Sequence, residues 1–291
     1  MHEGINDAVR HLVDLGRVQA VGVLVKGPAA ELGGSALRRM PAQRVDIGLH
    51  LDLTEFGGAG CGPLPLPLSE LIAKAYLGRL QPLDLRPQIR AQLDAFELLL
   101  GHAPAFVDGH RHVHQLPAVR EALLAELHGR YAARLPWIRC TVPPPLTLSS
   151  MAGGWSFKAA TIACLGGRPL QRAAKAQGFV QNRRLLGVYD FRGGAPRYRR
   201  LLQGWLGTAG RADLLMCHPG SAVGRDGVAA SVGDSLSAAR QAELEVLSDP
   251  AWDQWLAQAR TVMAPMSQIL GLAAIAPAIA PAASSASLSP S

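Results

Sequence analysis

The 291-residue sequence predicts an α/β fold, a parallel β/α barrel variant of about seven strands. Three observations predict it. Short apolar runs alternate with amphipathic helical stretches along most of the chain. Several of these runs are apolar throughout, as strands covered on both faces are. No glycine-rich dinucleotide turn follows any of them, which weighs against a doubly wound nucleotide-binding sheet.

The elements follow in order. INDAVRHLVDLG (5–16) carries apolar residues at helical spacing and a glycine stop, and VQAVGVLV (18–25) is the first strand candidate. ELGGSALRRM (31–40) is a weaker helix. VDIGLHLDL (45–53) is a strand, and a Gly/Pro-rich connection, GGAGCGPLPLPL (57–68), leads into the helix SELIAKAYLG. RPQIRAQLDAFELLLG (86–101) is the clearest amphipathic helix of the first half. AFVDGHRH (105–112) is a strand, AVREALLAELHGRYA a helix, and WIRCTV (137–142) a strand halted by prolines. After a partly helical insertion come the strand GVYDF (187–191), the helix PRYRRLLQGWLG and the strand ADLLMCHPG (212–220). The helices LSAARQAELEVL and WDQWLAQA follow, then TVMAP (261–265) as a last short strand. Residues 1–266 therefore read as one domain. The Ala/Pro/Ser-rich stretch 267–291 reads as a disordered tail that buries too little surface to offset its ordering entropy.

Composition narrows the function. Hydrophobic residues make up 48% of the chain, which excludes a disordered protein. The formal net charge is +7, but the arginines are interspersed with acids; the densest group, Arg192, Arg197, Arg199 and Arg200, reads as a solvated helix face. With no nucleic-acid motif beside it, a nucleic-acid partner is not expected. Cys61, Cys140, Cys164 and Cys217 stand far apart and form neither a disulfide framework nor a zinc knuckle, which fits a reducing cytoplasm. No signal peptide is expected at the start, and the most apolar stretch is too short for a membrane span and broken by prolines.

The chemistry-bearing residues cluster at strand ends. In FVDGHRHVHQLP, Asp108, His110, His112 and His114 would share one face if the strand ran that far. His50 comes late in the strand IGLHLDLT, and His218 ends the apolar run LLMCHPG. Each histidine alone is weak, but three separate strands deliver imidazole to the end of a β/α fold where active sites lie. Imidazole suits Zn, Fe, Ni or Mn, and sites of mixed histidine and carboxylate are common in hydrolases. Asp190 in GVYDF is either a polar contact in the pocket or a helix cap. Trp155 and Tyr189 either stack on a sugar or pack the core. Arg240 and Glu243 read by default as solvated helix charges.

Taken in order, IGLHLDLT, VDGHRHVHQLP, GVYDF and MCHPG resemble the YdjC-like carbohydrate deacetylases, also called the ChbG/HpnK family, over nearly the whole chain to about residue 265. NRRLLGVYDF followed by RYRRLLQGWL is most similar to the branch associated with hopanoid biosynthesis. The resemblance implies a polysaccharide-deacetylase-like barrel and hydrolysis of an N-acetyl group from an amino sugar, oligosaccharide or glycolipid head group. It also implies a divalent metal ion, Mg or Zn, held by one aspartate and two histidines. The matching histidines are His50 and His110, and His218 matches a catalytic acid. His112 and His114 match positions that line or buttress the site.

The sequence departs from that family at its front. Members begin with a strand ending in an ADDFG-type motif that supplies a metal ligand and the general base. Here a helix begins at Gly4, and the strand and both aspartates are absent. Asp108 could substitute as a ligand, and Asp52 could do so or support His50. The expectation drawn is that Met1 is an internal methionine and the first strand lies upstream. The alternatives are a truncated relic that binds sugar without catalysis and, less favoured, a metal-dependent phosphodiesterase. Oligomerisation stays open.

Overall fold

The computed structural model describes residues 2–56, 65–145, 161–221 and 234–272. Six short strands form among them: β1 Ala20–Val23, β2 Asp46–Leu51, β3 Phe106–Gly109, β4 Trp137–Ile138, β5 Arg184–Leu186 and β6 Asp213–Leu215. They make a four-stranded sheet in the order β1-β2-β3-β4 and a two-stranded sheet β5-β6, with every pair parallel. A bridge between Ile138 and Gln181 and a hydrogen bond from Leu185 N–H to the Val142 carbonyl (2.8 Å) tie the second sheet to the first. The α/β class and the parallel pairing agree with expectation. About seven strands closing a barrel do not form among the described residues.

Two strands differ from the sequence reading for identifiable reasons. The segment 261–265 is not a strand, because the Thr261 N–H is bonded to the Leu256 carbonyl (3.0 Å) at the end of a helix and its hydroxyl to the Leu206 carbonyl (3.3 Å). GVYDF is not a strand either; the strand lies just before it and stops at Gly187. That glycine has φ +84°, and a Cβ there would sit 2.0 Å from the Met216 carbonyl oxygen. Gly187→Ala is therefore expected to cost about 2 kcal/mol of stability, read as a lower denaturation midpoint at unchanged m-value. An unchanged midpoint would mean that the β5–β6 pair is not closely packed there.

The helices cover the sheet as the periodicity requires. Helix α1 (Glu3–Asp14) buries Ile5, Ala8, Leu12 and Val13. Helix α2 is Ala30–Leu37 and α3 is Leu68–Tyr76. Helix α4 (Pro82–Leu100) starts with proline in its first turn, where no amide donor is needed, and ends at Gly101 in the left-handed conformation (φ 74°). It packs Leu85, Ile89, Leu93 and Phe96 inward, beside α5 (Val119–Tyr131), with Arg86 and Arg90 of α4 paired to Glu126 of α5. These helices and β1–β4 share the main core. A second core, built on Tyr198, Trp205, Trp252 and Trp255, joins α7 (Gly194–Thr208), α8 (Ser237–Leu247) and α9 (Trp252–Ala259), while α6 is Arg168–Ala176.

The expected tail boundary moves. Met266–Ile269 form a short helix, α10, and Ser267 bonds the buried Asp46 carboxylate through both its N–H (2.8 Å) and its hydroxyl (2.5 Å). Leu270 and Leu272 pack with it on Phe106 and Trp137, so 267–272 belong to the domain. The rest of the stretch read as a tail, 273–291, lies outside the described residues. No helix among the described residues is long and apolar enough to cross a membrane.

Candidate active site

The register of the parallel sheet builds the site. Strand β2 is buried along its length except at His50, and the β2–β3 pairing sets His50 directly beside Asp108. Neighbours in register project from the same face. The result is a hydrogen bond of 2.6 Å from His50 Nδ1–H to Asp108 Oδ1. Gly22 of β1 leaves this pair its room: a Cβ there would lie 3.3 Å from His50 Cβ and 3.5 Å from Asp108 Oδ1.

Strand β3 ends at Gly109, so the four chemical residues of DGHRHVH do not alternate along one strand as expected. Residues His110–Gln115 form a tight turn in which Arg111 (φ 50°) and His112 (φ 62°) are both left-handed. Consecutive non-glycine residues in that region are strained and mark a conformation imposed by the surroundings. Each histidine consequently has a different environment. The His110 ring faces His50, with centroids 5.4 Å apart and planes at 77°. Its Nε2 is buried without a hydrogen bond, and Glu55 Oε1 lies 3.1 Å away. Burial and His50 hold the His110 pKa below its usual value, against the pull of Glu55. His112 Nδ1 lies 3.2 Å from Arg139 Nη2. His114 is fully buried and donates from Nε2 to the Arg139 carbonyl (3.0 Å). Burial, with the Arg139 charge, pushes its pKa down to about 3. His114 is thus a packing residue behind the strand, the buttress of the two roles the resemblance left open.

Arg139, which the sequence reading did not single out, organises the cluster. It is buried, and its guanidinium meets Asp108 Oδ2 at 2.5 Å and the Gly109 carbonyl at 2.8 Å. Burial alone would raise the Asp108 pKa, but Arg139 and His50 hold it far below the carboxylate range. With Oδ1 on His50 and Oδ2 on Arg139, Asp108 has both oxygens committed to orienting its neighbours, not free as the expected substitute ligand would be. Asp52 is engaged as well. Its carboxylate accepts the backbone N–H groups of Thr54 (2.8 Å), Glu55 (3.1 Å) and Phe56 (2.6 Å), which shapes the loop after β2. That loop delivers Glu55, the second residue missed. The signal available was its place just past the C-terminal end of a strand that already carried His50.

His218 follows β6. Its backbone N–H bonds the Glu243 carboxylate, and its ring meets Phe191 edge-on at 5.2 Å. Glu243 is not a solvated helix charge: it is fully buried, also accepts the Tyr189 hydroxyl (2.7 Å), and is pushed up to about 7 by burial, against those two donors. Tyr189 is a core residue. Asp190 is exposed, paired with Arg197 and bonded by the Arg192 N–H; this ties the turn before α7 and does not put it in the pocket. Trp155 and most of the Gly/Pro-rich loop lie outside the described residues.

The geometry fits part of a metal shell. His50 gives its Nδ1 proton to Asp108, which leaves the Nε2 lone pair free, a common arrangement for metal-binding histidine. Two imidazoles bound at about 2.1 Å to one ion have ring centroids about 5 Å apart, close to the separation of His50 and His110. His110 Nε2, 3.1 Å from Glu55 Oε1, would give a second nitrogen once its proton passes to that carboxylate. Among the described residues, however, no group of three His, Cys, Asp or Glu side chains is arranged to hold a metal ion.

A profile of the family described as YdjC-like protein matches residues 1–258. The chain belongs to the YdjC-like family. Among similar proteins, the carbohydrate deacetylases of Mus musculus and Homo sapiens are each 35% identical over 136 residues. That stretch is 42% of this chain and 42% and 41% of theirs. The chitooligosaccharide deacetylase of Enterobacter sp. (strain 638) is 31% identical over 122 residues, 40% of this chain and 45% of that one. The matched stretches thus span less than half of these relatives. A crystal structure from Enterococcus faecalis, provisionally assigned to cellobiose-phosphate cleavage, superposes with a TM-score of 0.60 at 14% identity. It covers 91% of this YdjC-like chain and 93% of its own, a likeness of fold.

Proposed function

We propose that this chain is a carbohydrate deacetylase that hydrolyses the N-acetyl group of an amino sugar and releases acetate. One observation carries the reading: at the C-terminal ends of adjacent parallel strands, a carboxylate-oriented imidazole faces a second imidazole whose Nε2 lies 3.1 Å from the Glu55 carboxylate. The printed names of the relatives, carbohydrate and chitooligosaccharide deacetylase, supply the substrate class. The branch resemblance extends it to a glycolipid head group of hopanoid metabolism. The free cysteines among the described residues, Cys140, Cys164 and Cys217, accord with a reducing cytoplasm.

A divalent ion, Zn or Mg, held by His50 and His110 would polarise the amide carbonyl and acidify a water molecule. The protein's own groups do the rest. Glu55, whose Oε1 lies 3.1 Å from His110 Nε2 and accepts from Arg111 (2.5 Å), would take the proton from the attacking water. His218, anchored through its backbone on Glu243, donates a proton to the departing amine. Asp108 and Arg139 hold His50 in the tautomer that leaves Nε2 free.

The test is acetate release from an N-acetylated chitooligosaccharide, with and without chelator, beside calorimetric titration with Zn. Wild type is expected to release acetate only with metal. His50→Ala and His110→Ala should each weaken Zn binding at least tenfold while the far-UV spectrum stays unchanged. Metal binding unaffected by both substitutions would end the proposal. The absence of a three-residue ligand set among the described residues favours a second reading, a sugar-binding protein without catalysis. Saturable sugar binding with no acetate at any metal concentration would establish it.

A further inference from the structure

Two histidines, His50 on β2 and His112 in the turn after β3, are held in opposite protonation patterns. Arg139 carries only N–H donors, and its Nη2 is directed at His112 Nδ1 (3.2 Å) as well as the Gly109 carbonyl. His112 Nδ1 must therefore accept. A neutral imidazole has one proton, so that proton sits on Nε2, which makes no hydrogen bond with the described residues in this half-buried side chain. Protonating Nδ1 as well would set one cation against another. His50 is the reverse case: its Nδ1 donates to Asp108, and its Nε2 presents a lone pair. Arg139 touches both Asp108 and His112, so it fixes the His112 tautomer directly and holds in place the carboxylate that fixes that of His50. With its remaining nitrogen protonated, His112 has no lone pair to offer a cation. The left-handed backbone at Arg111 and His112 is what turns the ring back toward Arg139 rather than along the strand.

We propose that His112 is a catalytic hydrogen-bond donor whose Nε2–H meets the oxyanion formed from the substrate amide, a role that rests on the deacetylase reading above. In that reaction the water oxygen adds to the carbonyl carbon while its proton passes to Glu55. The π pair moves onto the carbonyl oxygen, which becomes the anion. Collapse re-forms the carbonyl and breaks the C–N bond, and the amine leaves with a proton from His218. Amide and water give acetate and amine, with no other reactant. A neutral donor fixed in place stabilises the developing charge without giving up its proton, and the strain of the turn is what holds it there.

Two measurements test the role. The first is long-range ¹H–¹⁵N NMR of the ring-labelled, metal-free protein, with His112 assigned by its disappearance in His112→Gln. It should show a neutral Nε2–H ring at pH 7.5, and an Nδ1–H tautomer or an imidazolium would overturn the proposal. The second is the kinetics of acetate release from an N-acetylated chitooligosaccharide. His112→Leu is expected to lower kcat about 100-fold, with KM and Zn affinity within about threefold of wild type. His112→Gln, whose side-chain amide restores an N–H, should recover at least tenfold. Wild-type turnover in His112→Leu, or loss of Zn affinity in both variants, overturns the role. Acetate release together with an Nδ1–H ring defeats the donor alone. No acetate release from wild type, with the Nε2–H ring observed, defeats the deacetylase reading and the catalytic role with it.

Discussion

Arg139→Met is expected to destabilise the protein by about 3–5 kcal/mol, the usual cost of removing one partner from a buried ion pair. The cost comes from what stays behind. Asp108 is nearly inaccessible, and its Oδ2 would lose its guanidinium partner; the Gly109 carbonyl and His112 Nδ1 would each lose a donor. Methionine fills much the same volume, so the loss is electrostatic rather than a cavity. Urea unfolding at pH 7.5 measures it. The double variant Arg139→Met/Asp108→Leu should recover at least half, because the uncompensated carboxylate goes with its partner. A single variant within 1 kcal/mol of wild type would show that the guanidinium does not carry the cluster.

The second large effect is on acid stability of the metal-free protein. Burial chiefly holds the folded-state pKa of His114 down to about 3, that of His112 well below the usual 6.5, and that of His110 also below it. A histidine with a depressed folded pKa takes up fewer protons in the folded state than in the unfolded chain. Its contribution is complete above about pH 6.5 and drains away as the pH falls towards the folded value. For His114 alone that is roughly 4 kcal/mol between pH 6.5 and 3. Glu243 acts in the opposite sense. Its folded pKa of about 7 exceeds the unfolded 4.5, so it adds stability as the pH falls through that window and adds nothing further below it. Unfolding free energy should therefore fall from about pH 6.5 downward, with Glu243 offsetting the loss of only one of the three histidines until about pH 4.5, and fall more steeply below that. His114→Asn should flatten the steep limb. A profile level to pH 4 in wild type would contradict the buried, neutral state of these rings.

Much of the fold was legible because periodicity is local. The apolar run of β2 and the i, i+4 spacing of Leu85, Ile89 and Leu93 report burial that neighbouring residues themselves create. Strand ends were less legible. Where β5 stops depends on Gly187 against the Met216 carbonyl, and whether 261–265 is extended depends on which carbonyl takes the Thr261 amide. Both partners are remote in sequence or belong to a preceding helix.

The site divides the same way. His50, His110 and His218 could be picked out because scarce side chains recurred at strand ends. Glu55 and Arg139 could not, since a glutamate in a loop and an arginine at a strand end are ordinary until folding puts them on an imidazole and a buried carboxylate. Asp108 and Asp52 were read as spare ligands because a sequence does not show that their oxygens are already engaged.

By itself, then, the sequence determined the α/β class, the helices and strands that periodicity marks, and which imidazoles crowd the ends of the strands. Only the tertiary structure decided what each imidazole can do. A ring's proton sits on the nitrogen whose neighbour demands it, and those neighbours, Asp108 for His50 and Arg139 for His112 and His114, come from strands and strand ends brought side by side by the parallel register.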